Sequence, residues 1–257
     1  MIGAGETLAP DWRIAGVGAL MTTRAGGVSA GPYASMNVGV AVGDDPAAVA
    51  ANRARLAETL GAAPVYLRQV HGARVVRISA ADAVAGAPLH DADAAVTSEA
   101  GVACVVQAAD CLPVLLAARN GRAVGAAHAG WRGLAAGVAG AAVEAVCAAA
   151  QCRSGEVDAW LGACIGPDAF EVGPDVVRAF GVEPGRQDPA QRRFAAKGGA
   201  KWLADLPALT RDRLRAAGVE RVTGGDWCTV GDASRFFSFR RDGVTGRMAA
   251  AVWIRSR

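Results

Sequence analysis

The chain has 257 residues, 52% apolar and 5% aromatic, enough for one large core built of tight Ala- and Gly-rich layers rather than bulky ones. Its net charge of +3 is spread along the sequence, with no Lys/Arg cluster before the arginines near the C-terminus, which argues against nucleic-acid binding. The longest apolar stretch, 102–118, is interrupted by Gln107, Asp110 and Pro113, and the N-terminal MIGAGETLAPDWR lacks an apolar h-region, so neither a membrane span nor a signal peptide is expected. Six cysteines without a CxxC or a secretion signal read as reduced thiols of a cytoplasmic protein. No linker or composition break divides residues 1–257, which are expected to form a single domain.

In chain order, IAGVGALMTTR reads as a strand that enters the Gly- and Pro-containing loop RAGGVSAGPY. DDPAAVAANRARLAETLG has the marks of a helix: Asp44 or Asp45 as cap, Pro46 in the first turn, Gly61 as the stop. PVYLRQVHG and ARVVRIS are expected to form two strands joined as a hairpin near His71–Gly72. GVACVVQAADCLPVLLAA reads as buried strand broken near Asp110–Pro113, because proline cannot serve a central ladder. GRAVGAAHAG is a strand leading into the Ala-rich helix RGLAAGVAGAAVEAVCAAA. VDAWLGACIGP is a further strand, LADLPALTRDRLRAAG a helix, and FFSFRRDG with TGRMAAAVWIR a final strand pair across an Asp-Gly turn. The elements do not alternate strictly, which argues against a TIM barrel or a Rossmann sheet. The expected class is α+β, with mixed sheets packed in layers and helices outside.

Two of the three histidines and one cysteine stand at the ends of apolar runs, in RQVHG (His71), ADCLPVLL (Cys111) and AAHAGWRG (His128). Imidazole and thiolate are the ligands zinc prefers, and three protein ligands leave one coordination position open for chemistry. The gaps between them are too long for a zinc-finger knuckle and suit ligands gathered by a fold. Asp110, beside Cys111, can hold an imidazole N–H or act as general acid/base, with Glu171 a weaker alternative. A thiol between imidazoles can also be a nucleophile, and the sequence leaves both roles open. For an anion, guanidinium groups come from Arg24 in a Gly-rich turn, Arg132 at a helix start, and Arg240 and Arg247 near the C-terminus; Arg241 reads as solvated surface. Cys147 and Cys152 read as inert, and His90 as a surface residue.

RAGGVSAGPYASMNVGVAVGDD, RQVHG, DADAAVTS, ADCLPVLL, HAGWRGLAAGV, LGACIGP, CTV and FFSFRRDGVTGR, in this order, closely resemble the YfiH (laccase-domain) family, also called multicopper polyphenol oxidases and purine nucleoside phosphorylases. The resemblance runs from about Thr22 to Ile254. It implies an α/β/β/α layered fold shared with Cys–His hydrolase toxins, a metal-binding catalytic cluster at His71, Cys111 and His128, and Cys164 at a pocket-lining position, where a buried structural thiol is an equal reading. The implied function is zinc-dependent phosphorolysis of purine nucleosides (adenosine, inosine, methylthioadenosine) together with adenosine deamination, zinc-activated water expelling ammonia from the base. Its partners would be a purine nucleoside and phosphate, with no nucleic acid, membrane or obligate protein partner.

Three alternatives stand beside it. One is a Cys–His amidase with Cys111 as nucleophile and His128 or His71 as base, a role linked in the family to editing of peptidoglycan precursors. Another is copper-dependent laccase activity. A multicopper oxidase consumes about ten imidazoles at two or three per copper, and this chain offers only His71, His90 and His128, so at most one copper could use the same site. The third is a zinc-stabilised binding module without catalysis.

Overall fold

The computed structural model describes residues 2–84, 86–183 and 193–256. Its first half runs β1 (Thr7–Leu8), β2 (Val17–Thr22), α1 (Pro46–Leu60), β3 (Ala63–Val65), β4 (Val75–Arg77), β5 (Ala94–Thr97), β6 (Val102–Ala108), β7 (Leu112–Ala118) and β8 (Val124–Ala129). There follow α2 (Trp131–Ala135), α3 (Val138–Ala150), β9 (Val157–Leu161), β10 (Glu171–Val172), α4 (Pro174–Ala179), β11 (Phe194–Gly198), β12 (Lys201–Ala204), α5 (Leu206–Ala216), β13 (Arg221–Gly224), α6 (Phe239–Asp242) and β14 (Met248–Ile254).

Strand period explains the layers. Along β6, Ala103 and Val105 face one core while Cys104 and Val106 face another, and along β14 Ala249 and Ala251 separate from Met248, Ala250 and Val252 in the same way. The first face lies against Leu56 and Leu60 of α1. The second meets Leu115, Ala117, Val124 and Ala126 of the neighbouring sheet. That sheet turns Val114 and Leu116 the other way, onto Val143 and Val146 of α3 and Leu209 and Leu214 of α5. The order is therefore helix, sheet, sheet, helix, the α+β sandwich expected from the sequence. Each fully buried Leu or Val on these faces contributes roughly 1.5–3 kcal/mol of transfer free energy.

The first sheet has the order β1-β2-β14-β6-β3 and the second β13-β9-β7-β8-β5-β4, each mixing parallel and antiparallel pairs; a third, β10-β12-β11, is antiparallel. Helix α1 forms as its sequence dictates. Asp45 accepts a hydrogen bond from Ala47 N–H at 3.0 Å, Pro46 opens the first turn, and Gly61 ends it in the left-handed region at φ 58°.

Four local expectations are corrected. The segments around His71 do not form a hairpin: β3 pairs with β6 in the first sheet and β4 with β5 in the second, so residues 66–74 cross between layers. The C-terminal pair is likewise absent, because Phe239–Asp242 is a helical turn capped by Ser238, whose side chain accepts from Arg241 N–H. The Ala-rich helix after His128 is two helices, split at Gly137 with φ 98°. The strand break expected near Asp110–Pro113 is present, at Asp110 with φ 96°, where the chain leaves one sheet for the other, but proline is not its cause, since Pro113 lies inside β7, opposite His128.

Candidate metal centre

Three segments bring the chemistry together. Cys111 is the last residue of the corner between β6 and β7, and His128 is the penultimate residue of β8, the antiparallel neighbour of β7. His71 sits in the layer-crossing segment in a left-handed conformation, φ 60°. The ligand atoms of His71, Cys111 and His128 all lie within 4.8 Å of one another. Cys111 Sγ is 3.8 Å from His71 Nε2, and the two rings meet edge to face with centroids 4.8 Å apart. The spatial convergence expected from sequence is present.

Asp93, in the residue before β5, organises this meeting. Its carboxylate is fully buried and accepts backbone N–H groups from Val70 (3.1 Å), His71 (2.9 Å) and Gly72 (2.7 Å). It also accepts His128 Nδ1–H at 2.9 Å, and its backbone carbonyl takes His128 N–H at 2.7 Å. One carboxylate thus fixes the His71 turn and orients the His128 ring. With Nδ1 donating to Asp93, Nε2 is the nitrogen directed to the cluster, the orientation metal-bound histidines adopt.

The same contacts set the protonation of the metal-free cluster. Burial pushes the Cys111 thiol up, but the charge and hydrogen bond of His128, then those of His71, outweigh it and bring it down to about 6. Burial works against the His128 imidazolium, while Cys111 and Asp93 raise it to about 9. For Asp93, burial opposes ionisation, yet the His128 hydrogen bond and the N–H groups of Gly72 and Val70 hold its carboxyl below the usual range. Both shifts favour a thiolate beside an imidazolium in the metal-free cluster, and a bound cation would take the place of the proton between them. Two imidazole nitrogens and one sulfur fit a tetrahedral borderline cation with one position left over. Gly130 completes the wall: a Cβ there would lie 2.9 Å from Cys111 Sγ and 3.0 Å from His71 Cδ2.

The cluster opens into a cavity of about 620 Å³, lined also by Gly39–Val42, Leu67, Arg68, Gln69, Leu89, Gln107–Ala109, Phe239 and Arg247. Arg247 is the one arginine of the expected set on this wall. Its Nη1 donates to Thr245 O and Gly246 O, both at 3.0 Å; burial lowers its pKa, and Cys111 and Asp110 act in the opposite direction. Arg68, which sequence reasoning missed, lines the cavity with its Nε on Asp91.

Other expected residues stand elsewhere. Arg24 spends its guanidinium on Ala34 O and Ala233 O, both at 2.9 Å, and so ties loops together. Arg132 stacks over Trp131 at 4.4 Å on the surface. Arg240 donates from Nη1 to Glu171 O at 3.1 Å. None of the three lines the cavity. Arg241 is not solvated surface: it donates to Thr229 O, Val230 O and Phe236 O. Cys164 is fully buried, its thiol pushed up by burial, and is structural.

Two carboxylates are corrected. Asp110 does not hold an imidazole; its oxygens accept Thr229 Oγ1–H and Arg240 N–H, each at 2.6 Å, because the left-handed backbone at 110 turns the side chain toward the 229–240 loop. The imidazole partner is Asp93, whose signal was the DADAAVTS motif itself. Glu171 is bound to Lys197 and Lys201, whose hydrogen bonds bring it down to about 2, out of reach of acid–base work near neutrality. His90 Nε2 contacts Asp82 at 2.7 Å, outside the cluster.

Residues 18–255 match the family model described as multi-copper polyphenol oxidoreductase laccase. The chain is 46% identical to a protein of Pseudomonas aeruginosa named purine nucleoside phosphorylase, over 96% of this chain and 98% of that one. It is 44% identical to the Escherichia coli purine nucleoside phosphorylase YfiH, over 97% and 99%. Among solved structures, a Neisseria meningitidis protein of the DUF152 family superposes with a TM-score of 0.87 at 47% identity, covering 98% of this chain and 100% of that one. YlmD of Geobacillus stearothermophilus gives 0.90 at 34% identity, covering 100% and 98%. Similar in sequence and fold along nearly its whole length, the chain belongs to the YfiH family of laccase-like domains.

Proposed function

We propose that this chain is a zinc-dependent purine nucleoside phosphorylase that acts on adenosine, inosine and methylthioadenosine and also deaminates adenosine. The observation that carries the reading is the His71–Cys111–His128 cluster at the end of a nucleoside-sized cavity whose wall holds the half-buried Arg247. The names of the Pseudomonas and Escherichia relatives supply the substrate class. Zinc bound by the three residues would supply Lewis acidity; zinc suits the N, N, S donor set, and copper could occupy it when supplied.

The chain's own groups do the rest. Asp93 keeps the proton on His128 Nδ1, so that the ring presents Nε2 to the cluster. Among the described residues Arg247 Nε and Nη2 make no hydrogen bond, a planar donor pair matched to a phosphate, and an anion in the cavity would offset the desolvation of its guanidinium. Arg68 adds a second cation at the rim. Val40, Leu89 and Phe239 offer the apolar faces a purine needs and narrow the access of water. Deamination needs a proton carrier as well. With Glu171 locked by lysines and both Asp110 oxygens engaged, phosphorolysis is the principal reaction and deamination the lesser one.

The test is to incubate metal-quantified protein with adenosine, with and without phosphate, and identify the products. Adenine and ribose 1-phosphate are expected with phosphate, and some inosine without it. Absence of ribose 1-phosphate from zinc-replete protein would overturn the reading.

The order Cys111, His128, Asp93 favours a second reading, a Cys–His–Asp amidase, because it places a base beside a thiol and a carboxylate behind the base. That reading requires iodoacetamide to inactivate the metal-free protein and an acyl-thioester to be trapped on Cys111.

A further inference from the structure

Seven polar or ionisable side chains line the cavity, and six are already accounted for: the three of the cluster, Arg247, Arg68, and Gln69. Gln69 is locked. Its Nε2 donates to Gln107 O at 2.8 Å and its Oε1 accepts Gln107 N–H at 2.7 Å, so its carboxamide imitates a neighbouring strand. These bonds consume the backbone of Gln107 and none of its side chain. The carboxamide of Gln107 has no hydrogen bond within the described residues, and it is the one neutral donor–acceptor group of the cavity in that state. It follows Ala103 and Val105 on the outer face of β6, past the end of the cover given by α1, where the cavity opens.

From this we infer that Gln107 reads the edge of the purine base and that, being free to turn over, it accepts both 6-amino and 6-oxo purines. The inference rests on the nucleoside reading above. A carboxamide carries an acceptor and a donor side by side. In one orientation Oε1 accepts the 6-amino N–H and Nε2–H donates to ring N1. Rotated by half a turn, Nε2–H donates to the 6-oxo oxygen and Oε1 accepts N1–H. A carboxamide pinned like that of Gln69 would match one class and oppose the other. A guanidinium such as Arg247 lacks an acceptor and suits phosphate instead. The exposed faces of Leu89 (46%) and Phe239 (58%) on the same cavity give the flat, apolar body of the base a surface to cover.

Gln107→Leu removes both functions at similar size while the main-chain bonds to Gln69 remain. The measurement is kcat/KM for adenosine, inosine and purine riboside, which has hydrogen at the 6-position, in wild type and variant. The loss on adenosine and on inosine should each exceed the loss on purine riboside by about 10-fold or more, mostly in KM. The wild type should also process adenosine and inosine within about 10-fold of each other. Equal losses on all three nucleosides would reduce Gln107 to a packing residue, and a strong wild-type preference for one purine class would refute the turning carboxamide. If the wild type cleaves none of the three, it is the nucleoside reading that fails, and this inference with it.

Discussion

Asp93 and His128 are bonded twice, carboxylate to ring Nδ1–H at 2.9 Å and carbonyl to backbone N–H at 2.7 Å. The first bond orients an imidazole of the cluster that could hold a metal, and the second pins the strand that carries it. Because the same carboxylate also holds the N–H groups of residues 70–72, one side chain couples two of the three residues of the cluster.

Asp93→Asn should therefore damage the metal site before it damages the ligands themselves. An amide N–H aimed at donors leaves buried groups unpaired and frees the His128 ring. Zinc affinity, measured by competition with a chromophoric chelator, is expected to fall about 10- to 100-fold. The melting transition should drop by an amount equivalent to about 3 kcal/mol, as for loss of one partner in a buried charged pair.

Cys111→Ser and His128→Ala should each lower phosphorolysis by more than the roughly 100-fold reached by changes behind the ligands. Both should leave the fold intact, as monitored by circular dichroism, because the sandwich core lies in other residues. Wild-type turnover in either variant would refute the site.

Gly130→Ala tests the wall of the centre without touching a ligand. The backbone at 130 has φ −64°, which any residue adopts, so only the added methyl matters. It would press on Cys111 Sγ and His71 Cδ2 at 2.9 and 3.0 Å. Reduced zinc content in native mass spectrometry, with a near-normal melting temperature, is the expected outcome.

Tyr66 supplies a pH signature of its own. Its hydroxyl is buried without a hydrogen-bond partner among the described residues, and burial pushes it up to about 12, with the Arg53 guanidinium over the ring acting the other way. The unfolded chain loses this proton near 10. The folded state therefore holds its full advantage below about pH 10 and loses it progressively as pH rises toward 12. Tyr66→Phe should flatten that alkaline limb in urea titrations. At neutral pH it should be neutral or stabilising by about 1 kcal/mol, since a buried unpaired hydroxyl is removed.

Much of this protein is determined by local sequence. The cap, first turn and stop of α1 follow from Asp45, Pro46 and Gly61, and the apolar runs around 102–118 and 248–254 mark strands buried on both faces. The candidate trio was legible too, because two of only three histidines stand, with one thiol, at the ends of apolar runs. Tertiary structure decided the pairings. Consecutive strands β3 and β4, and β6 and β7, enter different sheets, and a two-residue period says which face is buried but not which partner covers it. It also decided which carboxylate serves the cluster. Asp110 is Cys111's neighbour in the chain yet turns away at φ 96°, whereas Asp93 is brought against His128 because β5 pairs with β8. Sequence reveals which groups can bind a metal or a phosphate, but hydrogen-bond geometry across paired strands decides which are left free to do so.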